Sequence, residues 1–177
     1  MTPEDIRLTR YVSVRSRSER LCAPLSAEDH VPQPVSDVSP PKWHLAHTTW
    51  FFETFVLAKQ QPDYRLFHPL YGYLFNSYYE SVGVRVARTQ RGHLSRPTVA
   101  EVLAYRAHVD AAMGELLSQP LEPEVADLVE LGLQHEQQHQ ELLITDIKYI
   151  LGHNPLHPAY DPLGIGPQDV TAEHDGT

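Results

Sequence analysis

The stretch Leu133-Gln134-His135-Glu136-Gln137-Gln138-His139-Gln140-Glu141-Leu142 decides how this chain is read. Two histidines four residues apart on a helix lie on neighbouring turns of one face, so both imidazoles can reach one point, a spacing used by metal ligands. Far upstream, Trp43-His44-Leu45-Ala46-His47-Thr48-Thr49-Trp50 offers a third ligand from a second helical stretch. The pattern is that of a metal held between helices. The pair His135 and His139 could instead be polar residues on an exposed face, but it interrupts an apolar stripe, where imidazoles without partners are costly. His47 taken alone, beside Trp50 and Phe51, reads as a hydrogen-bonded core histidine and gains its weight from the other pair.

Outward from these groups the chain reads as helices. Residues 4–22 carry Ile6, Tyr11, Val14 and Leu21 among charged and polar neighbours, an amphipathic pattern. Val31-Pro32-Gln33-Pro34 is a non-helical connector. Ser39-Pro40-Pro41 supplies a capping side chain and a first-turn proline, and Trp43, His47, Trp50, Phe51 and Thr54 follow as one stripe, which predicts a second helix over residues 41–59. From Gln60 to Arg96, aromatic residues from Tyr64 to Tyr79 surround Pro62, Pro69 and Gly72 without sustained periodicity, a long connection that is functional or partly helical. These aromatics could wall a pocket or simply fill a core. Thr98 and Glu101 form a capping box before Val99, Val102, Leu103, Val109, Met113 and Leu116. Pro123 opens the fourth helix, where Leu128, Leu131, His135, His139, Leu142 and Asp146 share a face that Gly152 closes. No strand series or repeat is present, so an all-α four-helix bundle is expected over residues 1–162, with 163–177 a disordered tail.

The chain has 177 residues, of which 41% are hydrophobic, enough for one cored domain. Its net charge of −9 argues against a nucleic-acid partner, with Arg85, Arg88, Arg91 and Arg96 as a local exception. No apolar run approaches the roughly 20 residues that span a bilayer, and the N-terminus does not read as a signal segment, so a soluble cytoplasmic protein without a membrane partner is expected. Cys22 stands alone, which leaves nitrogen and oxygen as the metal donors.

The string from His135 to His139 matches H-E-x-x-H, the zinc-protease helix whose glutamate is a general base. Against that reading, Leu142 stands where the metzincin continuation needs glycine, and no strand precedes the helix.

Taken whole, the stretch from Ser39-Pro40-Pro41-Lys42-Trp43-His44-Leu45-Ala46-His47 to Glu53 resembles the N-terminal part of the ergothioneine-biosynthesis sulfoxide synthases, the EgtB family. Gln134 to Leu143 is similar to that family's second signature, and Phe67-His68-Pro69-Leu70-Tyr71, Phe75 to Glu80 and Gln90 to Pro97 also look like it. The resemblance runs from about Leu8 to Asp161 and extends to selenoneine and ovothiol synthases. It implies a DinB-like bundle with non-haem Fe(2+) held by His47, His135 and His139. His44, three residues before His47, competes for a ligand position, and spacing does not separate iron from zinc or nickel. It further implies oxygen-dependent C–S bond formation between hercynine and a cysteine-containing thiol. Gln138 resembles the residue that binds the substrate imidazole, although a solvated helix glutamine fits the sequence nearly as well. Arg88 and Arg91 are candidate carboxylate clamps, or simply solubilising arginines. The catalytic acid of the family is a tyrosine of a C-terminal domain resembling formylglycine-generating enzymes. That domain does not follow in these 177 residues, so a separate C-terminal-domain protein is a candidate partner. The alternatives are a stand-alone DinB-like thiol transferase using zinc or nickel, and a metal-binding module without catalysis.

Overall fold

The computed structural model describes residues 2–77 and 83–161, and every regular element within them is helical. Four long helices carry the core: α1 (Pro3–Cys22), α2 (Pro41–Phe51), α4 (Val99–Leu117) and α5 (Pro123–His153), with a short α3 (Tyr71–Phe75) between α2 and α4. Thr2 with Asp5 and Thr98 with Glu101 close capping boxes at the starts of α1 and α4. Pro41 and Pro123 occupy first-turn positions, where their missing N–H costs nothing. Tyr78, Tyr79 and Glu80, and the predicted tail at 163–177, lie outside the described residues.

α2 packs against both α4 and α5, while α1 lies mainly on α5. Every residue of α2 is buried, Lys42, His44, His47, Thr48 and Thr49 included. The single stripe expected for this segment is therefore replaced by a helix enclosed on all sides, as its apolar circumference requires. Its continuation is a π-helical turn, Phe52–Leu57, followed by Ala58–Gln60. Within that turn Glu53 accepts hydrogen bonds from Tyr105 Oη at 2.5 Å, Tyr64 Oη at 3.0 Å and the Phe67 N–H at 2.9 Å, which fastens the aromatic connection to α4. Gly132 of α5 lies so close to Phe51 and Phe52 that a Cβ there would stand 2.6 Å from a Phe52 ring carbon.

Two predicted faces are rotated. On α1, Ile6 is exposed and Arg15 and Ser18 turn inward with Tyr11 and Val14. On α5 the core stripe is Val125, Val129, Leu133, Glu136, Gln140, Leu143 and Ile147, whereas Leu131 and Leu142 are exposed. The histidine row runs along the edge of the core stripe. The reason is a polar layer inside the protein: Glu136 accepts from Arg15 Nη1 at 2.8 Å, Arg106 Nη2 at 3.0 Å and Ser18 Oγ at 2.7 Å. A buried charge satisfied by partners on α1 and α4 can sit where an apolar residue was expected.

Candidate metal centre

The histidine row of α5 meets α2 at a cavity of about 300 Å³. His47, His135 and His139 offer ring nitrogens that all lie within 4.8 Å of one another. Their ring centroids are 4.7 to 4.9 Å apart. Helical spacing aligns His135 with His139, and the burial of α2 delivers His47 to the same point.

The hydrogen bonds around the rings decide which nitrogens are available. His47 Nδ1 lies 2.6 Å from the Phe75 carbonyl of α3, which can only accept, so Nδ1 carries the hydrogen and Nε2 keeps a lone pair. His139 Nδ1 lies 2.9 Å from His44 Nδ1. His135 Nδ1 is buried with no hydrogen-bond partner among the described residues. Burial lowers the pKa of His47 well below its ordinary value, with His135 adding to the effect, and lowers His135 to about 4. His139 is lowered further by burial and by the neighbouring His44, His47 and His135. Three neutral imidazoles, one with an orphaned buried nitrogen, form a donor set suited to a divalent transition metal.

The remaining predicted residues line the same cavity. Gln138 stands on the rim, one residue before His139. Arg91 is buried, with its guanidinium carbon 3.4 Å from the Trp43 ring centroid, and it donates to Ser39 Oγ at 2.9 Å and Ser77 Oγ at 3.1 Å. Arg88 is exposed and donates to the Asp37 carbonyl. Both arginines belong to a 3₁₀ helix, Arg88–His93, held by Gln33, which donates to the Arg88 carbonyl at 2.7 Å and accepts from the Gly92 N–H at 2.8 Å.

Two roles differ from the plain motif reading. Glu136, the general base of an H-E-x-x-H protease, points away from the histidines into the Arg15–Arg106 layer and is fully buried. Its carboxyl, pushed up by burial but held down more strongly by those guanidiniums, lies at about 2, so it serves as a structural anion. His44 lies outside the three-histidine group and bonds instead to His139 and to Asp146. Sequence reasoning placed Asp146 on the histidine face without giving it a role. Its position seven residues after His139, two helical turns, was the available signal.

The chain matches the DinB superfamily over residues 10–143 and belongs to it. That superfamily is metal-binding in general, in keeping with the three-histidine cluster. No curated protein matches the chain. Among the described residues, no helix is long and apolar enough to cross a membrane.

Proposed function

We propose that this chain is the iron-holding domain of an ergothioneine-type sulfoxide synthase, a four-helix bundle in which His47, His135 and His139 hold Fe(2+). The observation that carries the reading is the meeting of both sequence signatures at one cavity, with Gln138, Arg88 and Arg91 on its walls. Iron held there would supply oxygen-dependent coupling of hercynine to cysteine or γ-glutamylcysteine: a C–S bond replaces one C–H and one S–H, one oxygen atom becomes the sulfoxide oxygen, and the other leaves as water with both hydrogens.

The chain's own residues bind and orient. The Gln138 amide, on the cavity rim beside His139, would hydrogen-bond a substrate imidazole. Arg91, fixed by Ser39 and Ser77 and backed by Trp43, would present a held cation to a carboxylate, and Arg88 would add an exposed one at the rim. Trp43 and Leu142 form apolar wall that limits water. The resemblance assigns the acid to a tyrosine of a C-terminal domain, so that acid would come from such a domain or from a separate protein carrying it. Anaerobic Fe(2+) titration, then assay with hercynine and thiol under oxygen with and without that domain, tests the reading. Absence of sulfoxide in both settings would overturn it.

A second reading, a DinB-like thiol transferase with zinc or nickel activating the thiol, is favoured by one observation: a single chain already supplies a cavity that combines three imidazoles with a buried cation. Thiol transfer by the zinc- or nickel-loaded chain alone, without oxygen, would select it.

A further inference from the structure

Asp146, His44 and His139 form one line of hydrogen bonds ending at the histidine cluster. Asp146 Oδ2 lies 2.9 Å from His44 Nε2, and His44 Nδ1 lies 2.9 Å from His139 Nδ1. A carboxylate only accepts, so His44 carries its hydrogen on Nε2 and, as a neutral ring, turns a lone pair at Nδ1 toward His139. His139 must then donate from Nδ1, which leaves its Nε2 as a lone pair. The same Asp146 oxygen accepts the Ser39 N–H at 2.9 Å, so the carboxylate is itself held in place. Asp146 and His44 are both buried, 8% and 4% exposed, and they link α5 to α2 beside the cluster.

We propose that Asp146 and His44 are a positioning pair that fixes His139 as an Nε2 donor and thereby sets the affinity of the three-histidine site for a divalent cation. The inference rests on the reading of that cluster as a metal site. A ligating imidazole whose far nitrogen is anchored keeps its tautomer and ring orientation, and loss of such an anchor weakens metal binding by about 10- to 100-fold. A pair that merely joined two helices would change stability and leave both tautomer and affinity alone.

Two readouts separate these roles. In metal-free protein with ¹⁵N-labelled histidine, long-range ¹H–¹⁵N spectra should show His139 as the Nδ1–H form and His44 as the Nε2–H form. Cobalt(II) titration, followed by its visible absorbance, should then give affinities about 10- to 100-fold weaker for His44→Phe, which keeps the ring volume, and weaker than wild type for Asp146→Asn. The double variant should bind no more weakly than His44→Phe, because the two residues act as one unit. His139 should also lose its single tautomer in His44→Phe. Should that variant fail to fold, the wild-type tautomers and Asp146→Asn decide. An Nε2–H form of His139 in the wild type, or wild-type affinity in both folded variants, overturns the positioning role alone. Absence of stoichiometric cobalt uptake by the wild type, or undiminished uptake by His135→Ala, overturns the metal reading and this inference with it.

Discussion

Glu136 follows His135 in the chain, yet its carboxylate lies 2.8 Å from Arg15 Nη1 and does not line the cavity, with both side chains at 2% exposure or less. Adjacent helical residues point about 100° apart, so one position serves the site and the next serves the core. Glu136→Gln should therefore destabilise the fold by about 3–5 kcal/mol, since Arg15 and Arg106 lose their shared anion in a dry interior. The metal stoichiometry of the folded fraction should stay unchanged. Urea denaturation and metal analysis on the same preparation check both halves, and loss of metal from a fully folded variant would return Glu136 to the site.

His47→Ala, His135→Ala and His139→Ala should each abolish stoichiometric metal binding while retaining most of the helical circular dichroism signal. Helix stability comes chiefly from the apolar faces, which these changes leave in place. Equal metal affinity in wild type and all three variants would reject the assignment.

Acid should weaken the metal-free protein in two windows. His135 falls from an ordinary value of 6.5 to about 4 on folding, so the unfolded chain binds more protons between those limits, and stability present above 6.5 is lost as pH falls toward 4. The Glu136 carboxyl moves from 4.5 to about 2, so its contribution is present above 4.5 and is lost as pH falls toward 2. Denaturant midpoints across pH should fall continuously on acidification below neutrality. A midpoint that stays flat between 6.5 and 4 would contradict the histidine part.

Gly132→Ala should destabilise the protein despite the higher helix propensity of alanine. The added Cβ meets ring carbons of Phe52 and Phe51 at 2.6 and 2.9 Å, and overpacking costs about 1–3 kcal/mol against a propensity gain of about 1. Thermal unfolding should show a net loss, and a stabilised variant would mean that α5 shifts freely away from α2.

Arg91→Met should weaken binding of a carboxylate-bearing thiol about tenfold or more, the worth of one charge-assisted hydrogen bond. Because Arg91 lies over the Trp43 ring, ligand binding should also change Trp43 fluorescence in the wild type and much less in the variant. Unchanged affinity would move the carboxylate site elsewhere.

Three of the four long helices announce their starts in the sequence, α2 and α5 through first-turn prolines and α4 through the Thr98–Glu101 capping box, because such signals act within a few residues of one another. Spacing on one helix pairs His135 with His139 as a local fact, whereas the upstream string offers both His44 and His47, and only the family resemblance points to His47. The tertiary fold sets how those helices turn about their axes. The α5 face that looked innermost lies at a cavity, because the centre is occupied by Glu136 and two arginines from α1 and α4, residues 121 and 30 positions away in the chain. It likewise separated His44 from His47: both are buried on α2, but Asp146 stands within hydrogen-bond reach of one and the Phe75 carbonyl of the other. Which nitrogen of a histidine is free depends on the partner its other nitrogen meets, and those partners come from distant parts of the chain that folding brings together.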